Sequence, residues 1–504
     1  MGGPERLSRR WAARPEVRSR PPLRRAVRSR GRRRRVCRFS LRSVARWSGS
    51  RRLRSAGEEA LPVARAGELP ALRAVGAAAG HLFPARVVRG FRRAAKLLVA
   101  VTTLGLCLGA AELALRGRFP DRTGVGTEHR VPHPRLGWVL EPGARFSHRI
   151  DGRDVDVAYN SAGFRDVERR PESKQRPRVL VLGDSFVEAY SVRFEESFPR
   201  LLEESLGDEG VDAEVVNLGV GGYGTLQEYL LYREVGRAYR PDVVLLGFYT
   251  QNDVRNNSRE LEQRLRRNSL KGSSRPFLVA GPDAGWTASP VDYELAWEHY
   301  SAATERRRSL RSRLHRGSAL YRALRAAIGG RGDRRDDLEV VPREGADDLL
   351  QERFEALYGV GACDESPAFR DAWARTAEIL GRLGKEVEAE GARLVVFSVP
   401  AAEEVDPDLV ARWPAAYQQL AEGLCLREGV AERRLEAWLE ALGIPFIGLL
   451  PEFRRELETE ETRLHSEQDR HWTPAAHALA AEVVAARIAR SGILASSSPQ
   501  EGSS

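Results

Sequence analysis

A regular alternation of short apolar runs and helical patterns, beginning at residue 177, constrains the fold of this chain more than any other feature. Apolar runs of strand length lie at 179–183, 213–218, 242–248, 393–399 and 444–449. Helical patterns lie between or after them at 195–206, 226–239, 367–391, 430–442 and 474–490. Apolar runs without polar alternation are typical of parallel strands that helices cover on both faces. The sequence therefore predicts an α/β fold, a three-layer α/β/α flavodoxin-like sheet of about five parallel strands.

A long polar segment, residues 254–366, separates the third predicted strand from the fourth. It includes the Arg-rich stretch TERRRSLRSRLHRGSALYRALRAA. An insertion at the carboxyl end of a strand often forms a lid or one wall of a pocket. The alternative is a surface helical excursion with a solvated basic face, and the sequence leaves both open. We predict a helical insertion within an α/β domain that spans residues 177–490.

Two further segments flank this domain. In residues 118–176, Pro and Gly interrupt short alternating stretches such as VPHPRLGWVLEPG and VDVAYNSAGFRD. This pattern predicts a hairpin or loop extension on the amino-terminal side. Residues 491–504 are predicted to form a disordered tail.

The first residues of the chain are strongly basic. Residues 1–60 hold 20 Arg and 4 Glu, so the formal net charge of +11 comes from this end and the remainder is mildly acidic. Such composition predicts a disordered tail over residues 1–92. It could be a basic arm for nucleic acid or anionic lipid, a solvated tail without a partner, or the product of a start site placed too early. No nucleic acid is expected at the α/β domain.

An apolar run from Leu97 to Leu115, interrupted only by Glu112, is about long enough to cross a bilayer. The basic cluster of residues 86–96 precedes it, which predicts a cytoplasmic amino terminus. We predict a single-pass anchor at 93–117 in the cytoplasmic membrane, with the α/β domain outside it, in the periplasm of a Gram-negative cell. The alternatives are cleavage as a signal peptide after Ala111 and a buried core helix.

Polar residues that could take part in catalysis or binding follow the first two predicted strands. Ser185, in VLVLGDSFVEAY, is either a nucleophile or the N-cap of the next helix. After the second strand, NLGVGGYG matches a dinucleotide fingerprint by pattern. The next strand, however, ends in LLGFYTQND, without an acidic residue at the position that such a site needs. The other interpretation is that these glycines bring backbone N–H groups close to a reacting oxygen.

Two more blocks complete the set. Asn252 follows the third strand, where it can donate an N–H to an oxyanion or form a turn with Asp253. Asp469 and His471 precede the last helix in DRHWTPAAH. In an extended segment, side chains two residues apart point the same way, so the carboxylate would orient the imidazole. The alternative is a surface loop. Since the carboxyl ends of parallel strands meet at one edge, the blocks together predict one site.

These four blocks resemble those of the SGNH hydrolases, also called the GDSL family. GDSF, NLGVGG, QND and DRHW map the family's functional residues onto Ser185, Gly222, Asn252, Asp469 and His471. Only Arg470 stands between Asp469 and His471, a spacing similar to membrane-anchored and periplasmic members that act on polysaccharide acetyl groups. The segment HPRLGW…NSAGFRD resembles the same branch.

The resemblance implies an acyl-enzyme mechanism. Ser185 would attack an ester carbonyl, His471 would accept its proton, and Asp469 would orient His471. The backbone N–H groups of Ser185 and Gly222 and the Asn252 side chain would hold the oxyanion. It implies no cofactor and no metal. The predicted partner is an acylated carbohydrate or lipid.

The sequence thus favours a serine ester hydrolase, with transfer of an O-acetyl group to a cell-envelope polysaccharide as the alternative. A non-catalytic, membrane-anchored glycan-binding module is the alternative of another class. Cys363 and Cys425 could pair outside the cytoplasm, although their spacing does not decide it.

Overall fold

The computed structural model describes residues 85–116, 129–266, 274–281, 286–308, 314, 317–327, 346–460 and 462–494. The predicted Arg-rich tail before residue 85, the end of the anchor at 117, residues 118–128 of the extension and the last ten residues lie outside this set. Among the described residues, contacts divide the chain into two units, one that ends at residue 114 and one that begins at residue 115.

Helix α1 (Ala85–Arg116) carries the predicted anchor and begins before it, which corrects the prediction that residues 85–92 belong to a disordered tail. Its portion Arg93–Arg116 is long and apolar enough to cross a membrane, and none of its apolar window is buried within the protein. Exposure of this kind argues against the core-helix alternative, whereas a signal sequence would show the same features.

Two antiparallel hairpins precede the domain. Strand β1 (Arg130–His133) pairs with β2 (Gly137–Leu140), and β3 (Arg145–Ile150) pairs with β4 (Arg153–Ala158). Their buried apolar side chains join the same core as one face of the central sheet. The extension is therefore packed onto the domain rather than tethered to it.

The first half of the domain alternates strands and helices as predicted. In chain order it comprises β5 (Arg178–Gly183), α2 (Ser185–Glu188), α3 (Phe198–Asp208), β6 (Glu214–Asn217), α4 (Thr225–Glu234), β7 (Val243–Tyr249), α5 (Thr250–Asn256) and α6 (Arg259–Arg266). The described parts of the insertion then contribute a short hairpin and three helices, namely β8 (Leu278–Ala280), β9 (Trp286–Ala288), α7 (Tyr293–Arg308), α8 (Ala319–Ala327) and α9 (Ala346–Tyr358).

The second half completes the sheet. It comprises α10 (Pro367–Ala389), β10 (Arg393–Val399), α11 (Ala402–Val405), α12 (Ala415–Ala421), α13 (Val430–Leu442), β11 (Phe446–Ile447), α14 (Leu450–Glu460) and α15 (Pro474–Ser491). Helices α11, α12 and α14 match none of the predicted helical patterns, and β11 is shorter than predicted.

The five strands pair in the order β11-β10-β7-β5-β6, and every neighbouring pair is parallel. Successive residues of β5 enter different cores: Val179 and Val181 face one helical layer, and Leu180 and Leu182 face the other. Strands buried on both faces explain why their sequences are apolar without alternation. The predicted three-layer α/β/α fold is confirmed.

A disulfide joins Cys363 to Cys425 across a sequence separation of 62 residues. It closes a loop that contains α10, β10, α11 and α12. Backbone bonds reinforce it, since Cys363 N–H donates to Gly423 O and Cys425 N–H donates to Gly361 O, both at 2.9 Å. The bond fits the predicted location outside the cytoplasm.

Replacing Cys363 and Cys425 by Ser should lower the free energy of unfolding by about 4 kcal/mol, because an unfolded chain without this closed loop gains conformational entropy. Urea titration of the full chain would measure it. Reduction of the native protein should give the same loss and should leave the double variant unchanged. A double variant as stable as the oxidised protein would contradict the expectation.

Candidate active site

Ser185 lies at the carboxyl end of β5, where the chain turns into α2. Asp184 caps this helix, because its Oδ1 accepts the Phe186 N–H at 2.9 Å. Ser185 is therefore the first residue of the helix and not its N-cap, so the alternative role is taken by its neighbour. The turn requires Gly183, since a Cβ there would lie 2.4 Å from Val187 Cγ2.

The structure brings His471 to Ser185 and Asp469 to His471. His471 Nε2 lies 2.8 Å from Ser185 Oγ. On the other side of the ring, His471 Nδ1 lies 3.0 Å from Asp469 Oδ2. The three side chains thus form a continuous hydroxyl–imidazole–carboxylate chain, the arrangement that activates a serine as a nucleophile.

The segment that carries Asp469 and His471 is a turn, which corrects the expectation of an extended segment. Arg470 between them has a φ of 64°, in the left-handed region that non-glycine residues rarely adopt. Asp469 Oδ1 accepts the His471 N–H at 3.1 Å, which closes the turn. The carboxylate therefore serves two purposes, since one oxygen holds the backbone and the other faces the imidazole.

Electrostatics couple these two residues. Burial alone would raise the pKa of Asp469, but the neighbouring His471 charge and hydrogen bonds lower it to about 2. Burial alone would lower the pKa of His471, but the Asp469 carboxylate raises it above the usual 6.5. The structure therefore favours an ionised Asp469 and makes His471 a stronger base than a free imidazole.

Aromatic rings enclose the imidazole. The ring centroids of Phe186 and Tyr190 lie 4.9 Å and 5.1 Å from that of His471. Tyr249 packs on Phe186 at 4.6 Å, and Trp472 follows His471 directly in the chain and also contacts Phe186. These contacts limit rotation of the imidazole and keep the Ser185–His471 distance short.

The two predicted backbone donors are unengaged. Among the described residues, neither the Ser185 N–H nor the Gly222 N–H has a hydrogen-bond acceptor. Gly222 has a φ of 80°, where a side chain would strain the backbone, so glycine is required there. Both amides are therefore free to bind an oxygen.

Asn252 lies in α5 rather than in a turn with Asp253. Its Nδ2 donates to Asp184 Oδ2 at 2.6 Å, which places the amide beside the residue that precedes Ser185. An amide nitrogen has two hydrogens, so one remains for a ligand. The contact fixes the direction of the side chain in advance.

The glycines of the dinucleotide-like pattern have a packing reason. A Cβ at Gly219 would lie 2.4 Å from Glu188 N, and one at Gly224 would lie 2.5 Å from Asn256 Cβ. The loop after β6 thus presses directly against α2 and α5. This close approach accounts for glycine at both positions without a phosphate ligand.

Sequence reasoning missed the buried residues around this loop, namely Trp138, Glu188 and Arg275. Glu188 was visible in principle, because it is a carboxylate three residues after Ser185 within an otherwise apolar stretch. Trp138 and Arg275 lie far away in the sequence. In the described part of the chain, no group of three or more His, Cys, Asp and Glu residues is placed to hold a metal ion.

One known family matches the carboxyl-terminal part of this chain. The family description "SGNH hydrolase-like domain, acetyltransferase AlgX" matches residues 362–502, which contain Asp469 and His471. A comparison with curated proteins finds no match.

Two similar solved structures are an acetyl xylan esterase, AlAXEase, and a lipase/acylhydrolase from Enterococcus faecalis. Each is 12% identical to this chain, with a TM-score of 0.30, and each match covers 62% of this chain. The match covers 99% of the acetyl xylan esterase and 96% of the lipase/acylhydrolase. At these scores the likenesses decide nothing about the chemistry of this chain.

Proposed function

We propose that this chain is a serine ester hydrolase of the SGNH type, in a branch that resembles acetyltransferases, and that its nucleophile is Ser185. The family match over residues 362–502 supports the predicted family and class of enzyme. The observation that carries the proposal is the contact of Ser185 Oγ with His471 Nε2 at 2.8 Å, backed by Asp469.

In the proposed reaction, the Ser185 hydroxyl proton passes to His471 Nε2 as Oγ bonds to the ester carbonyl carbon. The carbonyl oxygen becomes an oxyanion, which the N–H groups of Ser185 and Gly222 and the Asn252 amide would stabilise. When the carbon–oxygen bond to the alcohol breaks, the alkoxide takes the proton from His471. Water, or a sugar hydroxyl in the case of transfer, then attacks the acyl-enzyme by the reverse steps.

The pH dependence follows from the charge on His471, which must be neutral to accept the Ser185 proton. Because Asp469 raises the pKa of His471 above 6.5, kcat/KM should rise with pH along a limb whose midpoint lies above 6.5. In Asp469→Asn the midpoint should move down, and kcat should fall by up to about 10⁴-fold as the imidazole tautomer is lost. A pH–rate profile with the same midpoint in both proteins would contradict this relation.

The proposed substrate is an O-acylated, in particular O-acetylated, carbohydrate or lipid outside the cytoplasmic membrane. A cavity of about 210 Å³ borders the turn of Asp469 and His471, and its lining combines the basic side chains Arg412, Arg463 and Arg470 with apolar ones such as Leu409 and Leu464. The preference for an acetyl group is supported by the family match over residues 362–502.

A panel of acetyl and longer-chain esters, with the full chain in detergent, tests the substrate class. We expect acetyl esters to give the highest kcat/KM, and Ser185→Ala to remove the turnover of all of them. A preference that rises with acyl length would contradict the acetyl proposal and indicate a lipase.

Transfer of the acetyl group to a polysaccharide is the second candidate, and the acetyltransferase family match favours it. Hydrolysis and transfer share the acyl-enzyme and differ only in whether water or a sugar hydroxyl attacks it. An added glycan acceptor should give acetylated glycan at the expense of free acetate if the chain is a transferase. A product distribution that does not change with acceptor would leave hydrolysis as the activity.

Binding of a glycan without any ester turnover would instead indicate a non-catalytic glycan-binding module, the alternative of another class.

For location, we propose a membrane anchor at 93–117 with the α/β domain outside. Protease added to intact spheroplasts should then digest that domain. Digestion that requires lysis would contradict this topology.

A further inference from the structure

The peptide units around Gly222 are held by side chains from three separate parts of the chain. Three of four successive backbone polar groups have partners: the N–H of Gly221, the carbonyl of Gly221 and the carbonyl of Gly222. The N–H of Gly222, which lies between the last two, has no acceptor among the described residues. The amide proposed to bind the oxyanion is thus the one group in this set left open.

Glu188 holds the first of these groups. Its Oε2 accepts the Gly221 N–H at 2.6 Å, and its Oε1 accepts the Tyr159 hydroxyl at 2.7 Å. Arg130 Nη2 lies 3.8 Å from Oε2, and both charged side chains are buried. A Cβ at Gly221 would lie 2.2 Å from Arg130 Nη2, so the loop fits tightly against this pair.

Trp138 and Arg275 hold the next two groups. Trp138 Nε1–H donates to the Gly221 carbonyl at 3.4 Å, and this carbonyl belongs to the same peptide plane as the Gly222 N–H. Arg275 Nη2 donates to the Gly222 carbonyl at 2.8 Å. The Arg275 guanidinium also lies 5.1 Å above the Trp138 ring, so the two donors brace each other.

A donor accelerates a reaction when its direction is fixed before charge develops, because no reorganisation is then needed in the transition state. A peptide plane whose neighbours and whose own carbonyl are hydrogen-bonded cannot rotate freely. The charge of Arg130 also offsets that of Glu188, which would otherwise oppose a negative charge at Gly222.

From this geometry we propose that Glu188, Trp138 and Arg275 are positioning residues that aim the Gly222 N–H at the oxyanion, an inference that rests on the proposed function. The amino-terminal hairpins supply Trp138, Arg130 and Tyr159, and the insertion supplies Arg275. Both segments therefore belong to the catalytic machinery of the domain rather than being accessories to it.

Three variants of the full chain test the proposal: Glu188→Ala, Glu188→Gln and, as a control, Glu432→Ala. Glu432 is a partly buried carboxylate that also accepts backbone N–H groups, from Leu449 and Leu450 at 3.1 Å, but it lies away from the loop of Gly221 and Gly222. A phosphonate ester titrates competent active sites, so kcat can be expressed per titrated site. This measure separates a misdirected donor from a fraction of unfolded protein.

We expect Glu188→Ala to lower kcat per titrated site by about 100-fold, since small misplacements near the reacting atoms have effects of this size. KM should stay nearly constant, because the oxyanion exists only in the transition state. Glu188→Gln keeps an acceptor for Gly221 and should restore most of the rate. Glu432→Ala should lower the titrated fraction but keep kcat per site.

Wild-type kcat per titrated site in Glu188→Ala would overturn the proposal, and so would equal losses of kcat per site in Glu188→Ala and Glu432→Ala. Trp138→Phe removes the Nε1–H and keeps an aromatic ring, and it should also lower kcat at constant KM. A wild-type chain with no ester turnover and no phosphonate adduct would overturn the proposed function itself, and this inference with it.

Discussion

Replacing Ser185 by Ala is expected to lower kcat for ester turnover by about 10⁴- to 10⁶-fold, because the acyl-enzyme can no longer form. The side chain lost is small, and among the described residues its only hydrogen-bond contact is with His471 Nε2, so the fold should be unaffected. KM should change little if binding precedes chemistry. Steady-state kinetics on an acetyl ester measures both constants.

Ser197→Ala is the matched control. Ser197 is buried, and its Oγ donates to the Phe194 carbonyl at 2.6 Å rather than contacting His471. This variant should retain the wild-type kcat. Equal activity in the Ser185 and Ser197 variants would exclude Ser185 as the nucleophile.

Replacing His471 by Ala is expected to cost about as much as the loss of Ser185, roughly 10⁴- to 10⁶-fold in kcat. Without the imidazole, the Ser185 hydroxyl has no base and the departing alkoxide has no acid. Because the two residues act as a unit, the double variant Ser185→Ala/His471→Ala should be no slower than either single variant.

His477→Ala serves as its control, since this buried His accepts the Phe198 N–H at 3.2 Å and does not contact Ser185. It should keep kcat per titrated site. Losses that multiply in the Ser185/His471 double variant would show that the two side chains act independently, against the observed contact.

The central sheet could be predicted from sequence because its strands are buried on both faces. Val179, Leu180, Val181 and Leu182 leave no polar alternation that could suggest another structure. The short edge strand β11 was the exception. At the edge of the sheet only Phe446 and Ile447 pair, and the apolar residues beside them belong to loops.

The candidate site was predictable as a set of residues but not as a geometry. The spacing of Asp469 and His471 indicated a pair, yet the pair forms through a turn at Arg470 and not through an extended strand. Likewise, Ser185 was expected either to cap the helix or to act in chemistry, and Asp184 supplies the cap. Local patterns name candidate residues, whereas backbone conformation decides how they meet.

The side-chain contacts that hold the loop of Gly221 and Gly222 could not be predicted from any local pattern. Trp138 and Gly221 are 83 residues apart, and Arg275 and Gly222 are 53 residues apart. Each contact depends on how the hairpins and the insertion pack against the sheet. Tertiary packing of this kind leaves no periodic signal in the sequence.

The most direct measurement of the central claim is the site of covalent modification by a phosphonate ester in the intact chain. Peptide mapping by mass spectrometry should locate a single adduct on Ser185, and His471→Ala should form that adduct far more slowly. A folded chain with no adduct, or with an adduct elsewhere while Ser185→Ala keeps full ester turnover, would contradict the account.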